Sequence, residues 1–299
     1  MDNQKEKQNK IIIIGGGPAG INTSIQLKRY GLEPLLLERR ELGGLLWNAN
    51  LVENYPGFPN GVRGEKLIGL MKAQMERIGV NVKREEVLEV EIHREEFIVN
   101  TKNEKYKAHY LVVATGTESK PLPNIISPEA QARVFTEVWP LYEVHDKNMV
   151  IVGAGDAAFD YALNLSKNRN FVTILNRGDS VKCLGLLFER AAHEDWIAYR
   201  TGVAVREITF DEAATRLVVR CEARGGAESF EADYVLFAIG RDPNLDFLSD
   251  EVRQRERELV ESGRLYFVGD VKNELYRQVS IAVGDGLRAA MQIYSRISK

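Results

Sequence analysis

Cysteine is nearly absent from this chain of 299 residues: Cys183 and Cys221 are its only two. Two thiols 38 positions apart exclude a disulfide framework and a cysteine-based zinc centre. Such sparse usage suits the reducing cytoplasm, which is the expected compartment. Histidine is scarce too, and His93, His109, His145 and His193 show no metal-ligand spacing. No excess of one charge exists either: 40 Lys and Arg face 43 Asp and Glu, a net charge of −3. That balance gives no field for a nucleic-acid partner or an anionic membrane surface. No apolar run reaches the ~18 residues of a membrane span. The polar residues 1–10 lead into no signal-peptide core. Nucleophile elbows, Walker loops, low-complexity tracts and short repeats are also missing.

What is present is ordinary globular composition, 44% hydrophobic and 28% charged. At roughly 150 residues per domain the length predicts two domains. Two strand, glycine-turn, helix, strand units stand 138 residues apart. The first opens with Ile11-Ile12-Ile13-Ile14, too short for a helix and β-branched, so it predicts a buried parallel strand. A helix over 18–30 follows, with Pro18 in its first turn and Gly31 as its stop. Leu35-Leu36-Leu37 is the next strand and ends at Glu38. The second unit runs Met149-Val150-Ile151-Val152, turns through Gly153-Ala154-Gly155-Asp156-Ala157-Ala158, and carries Ala158, Ala162 and Leu165 on one helix face. Its second strand covers 171–175 and ends at Asn176. Two such units predict two doubly wound α/β domains of the Rossmann kind, the second inserted into the first. Crossings fall at Lys120-Pro121-Leu122-Pro123 and Arg241-Asp242-Pro243-Asn244. The expected bounds are 1–117 with 246–299 for the first domain and 118–245 for the insert.

In Gly15-x-Gly17-x-x-Gly20 each residue has a task. Gly15 permits a tight turn, Gly17 lets a pyrophosphate approach the backbone, and Gly20 allows close helix–strand packing. Pro18 and Ala19 begin the helix, whose free N–H groups and positive dipole end attract phosphate. Glu38, eighteen residues past Gly20, can accept hydrogen bonds from ribose hydroxyls, and Arg39 follows it. This pattern alone leaves FAD and NAD both open. Later segments decide. Gly43-Gly44-Leu45-Leu46, Glu53-Asn54-Tyr55-Pro56-Gly57-Phe58, Ala114-Thr115-Gly116, Val268-Gly269-Asp270 and Tyr276-Arg277-Gln278-Val279, with Ala282-x-Gly284-x-Gly286 after it, occur in one order along the chain. Together they resemble the two-domain FAD/NAD(P) flavoprotein disulfide reductases. The most similar are the small thioredoxin reductases and the ferredoxin–NADP reductases of the same build.

The resemblance implies FAD as cofactor. It places Gly43, Gly44 and Leu45 along the FAD and Asn54 near the flavin, with Thr115 and Gly116 returning beside the cofactor. It also places Gly269 and Asp270 at the ribityl chain, and Arg277, Gln278 and Val279 at the flavin. Asp270 has a plainer alternative as a turn or cap residue. Gly284 and Gly286 read as a close-approach turn, with a helix over 287–297 aiming its N-terminal dipole at the flavin.

In the second unit the resemblance puts NAD(P)H at Gly153, Gly155, Asp156 and Ala157. The strand end selects the nucleotide, since an acid there favours NADH and an arginine favours the 2′-phosphate of NADPH. Here the chain reads Asn176-Arg177-Gly178-Asp179-Ser180-Val181-Lys182. The resembling NADPH pattern is His-Arg-Arg with a further Arg three residues later. Arg177 holds its place and Lys182 stands at the last arginine, but Gly178 has lost a fork. NADPH is favoured, with NADH, or a degenerate domain that binds no nicotinamide, as the alternatives.

A thioredoxin reductase carries Cys-x-x-Cys just before this turn. Here residues 135–145 contain no cysteine. The expected activity is therefore an FAD-dependent oxidoreductase taking hydride from NAD(P)H and passing electrons to a non-disulfide acceptor. That acceptor would be a ferredoxin- or flavodoxin-type carrier, a quinone or another small molecule. One rival is a flavoenzyme acting directly on a small organic substrate. Another is a non-catalytic FAD-binding redox sensor. No metal and no catalytic side chain beyond the flavin is expected, and a homodimer is common among the resembling proteins.

Overall fold

The computed structural model describes residues 7–8 and 10–298. Their chain forms two compact units. One comprises the described residues of Met1–Trp47, Leu51–Glu118 and Pro243–Lys299; the other comprises Asn48–Asn50 and Ser119–Asp242. The second interrupts the first in sequence, and the chain passes between them through two short paired strands, Thr117–Ser119 and Arg241–Pro243.

The first unit is built on a five-stranded parallel sheet. Its spatial order is Leu265–Phe267, Tyr110–Val113, Ile11–Ile14, Leu35–Glu38, Asn81–Arg84. Every residue of Ile11–Ile14 is buried, as expected of a central parallel strand covered on both faces. The strand order reverses between Ile11–Ile14 and Tyr110–Val113, and the crevice at such a reversal is where doubly wound sheets bind ligands. The crossover from Asn81–Arg84 to Tyr110–Val113 carries the antiparallel strands Val87–His93, Glu96–Thr101 and Lys105–Ala108. Their inner side chains Val90, Phe97, Val99 and Tyr106 pack on Ile12, Leu35 and Leu111 in one core.

The Pro18–Arg29 helix covers one sheet face. Proline sits in its first turn, and Lys28 and Arg29 sit in its last, where they favour the negative dipole end. The Val279–Ile297 helix crosses it closely. A side chain at Gly286 would meet the Thr23 hydroxyl at 2.8 Å and collide with the Ala19 carbonyl. This corrects one expectation. The closing helix starts at Val279 instead of residue 287, so Gly284 and Gly286 lie inside it and form no turn. An interior glycine costs about 1 kcal/mol of helix propensity, and at Gly286 close packing offsets it. The dipole end accordingly belongs to residues 279–282.

The second unit repeats the plan. Its parallel sheet runs Val134–Phe135, Tyr234–Phe237, Asn148–Val152, Phe171–Asn176, Ile197–Thr201. The Asp156–Leu165 helix follows its first glycine turn. An antiparallel sheet of Val203–Asp211, Arg216–Ala223 and Gly226–Ala232 occupies the corresponding crossover. Among the described residues no helix is long and apolar enough to cross a membrane.

Candidate functional site

Both glycine turns sit at the carboxyl ends of their sheets, at the strand reversal. In the first, Gly15 has φ +103°, and its N–H donates to the Leu37 carbonyl at 2.8 Å. A Cβ there would lie 2.9 Å from Thr115 N, closer than real Cβ atoms come. At Gly20 a Cβ would collide with the Gly15 carbonyl. Gly17 differs. It is the N-cap of the Pro18–Arg29 helix with an ordinary φ of −76°, and the nearest atom to a Cβ there would be Gly44 Cα, 4.0 Å away. The fold therefore requires glycine at 15 and 20, whereas at 17 it leaves open backbone beside a helix N-terminus. That concavity fits a pyrophosphate.

The neighbouring residues converge on the same turn. Gly43 N donates to Gly16 O at 2.8 Å, which docks the Gly43-Gly44-Leu45 segment against it. Glu38 Oε2 accepts the Gly16 N–H at 2.6 Å, and Oε1 accepts that of Arg40 at 2.8 Å. The acid is thus fixed at the strand end. Arg39 turns toward Glu86, 3.8 Å away. Thr115 and Gly116 lie across the strand reversal, and both bind the returning chain: Thr115 Oγ1 donates to Asn244 O at 2.6 Å, and Gly116 O accepts from Asn244 N at 3.1 Å.

The late segments gather from the other side. Gly269 packs on the first helix, its Cβ position 2.9 Å from Ala19 Cβ. The half-buried Asp270 follows in the turn Gly269–Val271. Asn54 Nδ2 donates to Gln278 Oε1 at 2.8 Å, joining segments 224 residues apart. Val279 is the first residue of the closing helix, with Gln278 as its N-cap and Arg277 just ahead of it. Asp285, absent from the sequence reading, organises this turn. Its carboxylate accepts from Gly269 N at 3.2 Å and Asn273 Nδ2 at 2.7 Å, and it pairs with Lys272 at 3.2 Å. Only its position two turns into a helix hinted at it.

The second turn is a near copy. Gly153 has φ +144° and donates to Leu175 O at 3.0 Å. Gly155 is open, with Lys182 O 4.0 Å from its Cβ position. Asp156 and Ala157 open the helix. Asp156 Oδ1 accepts the Leu184 N–H at 2.8 Å, and Lys182 N donates to Ala154 O at 3.0 Å. The loop that carries Arg177 and Lys182 is therefore tied back to the glycine turn. Asn176 is buried and closes that loop, accepting from Gly178 N at 2.9 Å and donating to Ser180 O and Tyr199 OH. Arg177 and Lys182 are exposed.

The segment ahead of this turn holds a polar cluster. Glu137 pairs with Arg241 at 2.8 Å, and Arg241 also donates to Ser119 Oγ at 2.8 Å. The Asn48 side chain donates to Glu137 and accepts from Val138 N at 3.1 Å. Burial, then the Glu137 charge, push the Tyr161 hydroxyl upward, so it stays protonated. The two cysteines are elsewhere. Cys183 borders the core beneath the Asp156–Leu165 helix, and Cys221 is buried in the antiparallel sheet's core.

Two Rossmann-like units, one interrupting the other and each with a glycine turn at a strand reversal, define a two-dinucleotide flavoprotein oxidoreductase. The chain belongs to the pyridine nucleotide-disulphide oxidoreductase family, whose model matches residues 9–286. This family uses FAD with a pyridine nucleotide, so the glycine turns have cofactors to serve. A thioredoxin reductase of Chlamydia pneumoniae is 29% identical over 303 residues, covering 95% of this chain and 97% of that protein. The "34.2 kDa protein in rubredoxin operon" of Clostridium pasteurianum is 28% identical over 299 residues, covering 96% and 97%. The solved thioredoxin reductase of Lactococcus lactis has a TM-score of 0.85 and 26% identity, covering 97% of this chain and 99% of that one.

Proposed function

We propose that this thioredoxin-reductase-like protein takes hydride from NADPH and hands electrons to an acceptor other than a disulfide, a small one-electron carrier protein. One observation carries the proposal. Residues 135–145, the stretch before the second glycine turn, have no cysteine, and nowhere does the sequence contain Cys-x-x-Cys. That stretch instead supplies Glu137, which pairs with Arg241. Cys183 and Cys221 border different cores, which argues against their replacing a dithiol. Burial raises both thiols, Cys221 to about 11, which disfavours the reactive thiolate. The relative named for a rubredoxin operon favours a small carrier as partner.

FAD, when bound, accepts the two electrons of a hydride and can release them singly. The chain's own residues bind, orient and shield. Gly17 and Gly44 leave main chain open to the pyrophosphate, and Glu38 stands ready for a ribose. Asp270, Asn54, Arg277 and Gln278 hold the flavin half. Gly155 and the start of the Asp156–Leu165 helix take the nicotinamide nucleotide's phosphates, with Arg177 and Lys182 at its 2′ end.

An anaerobic spectrophotometric titration tests this. NADPH should bleach the flavin within a turnover. Ferredoxin, flavodoxin or rubredoxin should then restore its colour, while thioredoxin disulfide should not. Reduction of thioredoxin, or failure of both NADPH and NADH to bleach the flavin, would overturn the proposal.

A further inference from the structure

The loop after the second strand of the inserted unit has one arginine, Arg177, where the NADPH pattern has two in succession. The fold brings a second guanidinium to it. Parallel pairing sets Asn176 beside Thr201. The next residue, Gly202, donates its N–H to the Gly178 carbonyl at 3.0 Å. Antiparallel pairing then sets Val203 beside Ala223. Arg224, at the tip of the hairpin joining Arg216–Ala223 to Gly226–Ala232, therefore lies over Gly202, its Nε 3.5 Å from the Cβ position there. Its guanidinium pairs with Asp179, the residue after Gly178.

Three properties make Arg224 more than surface charge. It stands at the end of the second strand, where this fold places the ribose 2′ group. The loop it touches is anchored at both ends, by Gly202 at Gly178 and by the glycine turn at Lys182, so its position is set before ligand arrives. Its present partner is weakly committed, with side chains 77% and 68% exposed, and such pairs contribute little. A phosphate dianion offers more charge than the carboxylate and accepts two parallel N–H bonds from the fork.

We infer that Arg224 is a specificity-determining residue for NADPH. It grips the adenosine 2′-phosphate with Arg177, in place of the arginine missing at Gly178, and Asp179 holds its guanidinium in register until the phosphate displaces it. The inference rests on the NADPH reading above.

Calorimetric titration of the FAD-loaded full chain with 2′,5′-ADP and with 5′-AMP, which lacks only the 2′-phosphate, separates the two claims. The wild type should bind 2′,5′-ADP about tenfold or more tightly than 5′-AMP. Arg224→Ala should lose about tenfold of affinity for 2′,5′-ADP and none for 5′-AMP. Arg216→Ala, which removes the same charge at the far end of the same strand, should change neither. If the wild type prefers 2′,5′-ADP and Arg224→Ala keeps that preference, the role of Arg224 is overturned and the NADPH reading survives. Equal weakening of both nucleotides also overturns it, since that marks distortion of the loop. A wild type that binds neither nucleotide, or both alike, overturns the NADPH reading itself and the inference with it.

Discussion

Replacing Gly17 by alanine separates what a ligand needs from what the fold needs. Gly17 has φ −76° and ψ −177°, which alanine adopts without strain, and its Cβ position has no atom nearer than 4.0 Å. The folded protein without cofactor should therefore tolerate Gly17→Ala. Restricting the unfolded chain adds about 0.4–1 kcal/mol, which the poorer fit of alanine at an N-cap offsets, so apoprotein stability should change by less than about 1 kcal/mol. The new methyl would nevertheless stand where the pyrophosphate is to approach the helix N-terminus. Losing one or two of those charge-assisted hydrogen bonds, each worth about 1.5–3 kcal/mol, should weaken FAD at least ~10-fold. Gly20→Ala provides the contrast. Its Cβ would collide with Gly15 O and lie 3.1 Å from Gly15 C, so helix and strand must part. Such overpacking costs about 1–3 kcal/mol or more with or without ligand. Urea unfolding of the two apoproteins and quenching of FAD fluorescence give both quantities. A Gly17→Ala variant that binds FAD as tightly as the wild type would refute the reasoning, because then the open backbone at residue 17 is not the phosphate cradle.

Three further outcomes follow from the packing. Gly286→Ala should destabilise by about 1–3 kcal/mol, because its Cβ would meet Thr23 Oγ1 at 2.8 Å and the Ala19 carbonyl; Gly284→Ala, with nothing within 4 Å, should instead gain up to about 1 kcal/mol in the same urea titration. Glu137→Ala leaves Arg241 half-buried without its carboxylate and should cost about 1–3 kcal/mol, with Glu137→Gln losing less because an amide still bonds to the guanidinium. Burial raises Cys221 from its ordinary 9 to about 11, so the folded state favours the thiol: its contribution to stability is complete below pH 9 and fades as pH rises toward 11. Iodoacetamide at pH 7.5 should accordingly label Cys221 only after denaturation, and rapid labelling of the native protein would contradict the burial.

The strand–turn–helix units were legible because their constraints are local. Gly15 and Gly153 need a left-handed φ and leave no room for a Cβ, which only glycine satisfies, and four consecutive isoleucines have little choice but a buried strand. The start of the closing helix was not legible in the same way. Glycines at 284 and 286 suggest a turn by local chemistry, but the Ala19–Thr23 ridge of another helix turns Gly286 into a packing contact. Arg224 and Asp285 were invisible for a related reason. Their partners are set by strand register and helix crossing: Arg224 lies in no motif, and Asp285 fills an unspecified position between Gly284 and Gly286.

The two glycine turns also explain why the third glycine became alanine in only one of them. Gly15 and Gly153 make the same bond to the neighbouring strand, at 2.8 and 3.0 Å. Behind the first turn, however, the Pro18–Arg29 helix is held from its other side by the closing helix at Ala19 and Thr23. It cannot retreat to admit a Cβ at residue 20. In the inserted unit Ala158 is fully buried, so there the helix stands far enough from its turn to seat a methyl. The asymmetry predicts that the two positions are coupled. Gly20→Ala forces the first helix outward against Gly286, and enlarging Gly286 at the same time should cost more than the two single changes added. The coupling should be about 0.5–3 kcal/mol in a double-mutant cycle. Ala158→Gly, by contrast, should cost about 1 kcal/mol through helix propensity and a lost methyl contact, with no dependence on residue 286. Strict additivity of Gly20→Ala with Gly286→Ala would show that the first helix is free to move, and would leave the difference between the two turns without a packing cause.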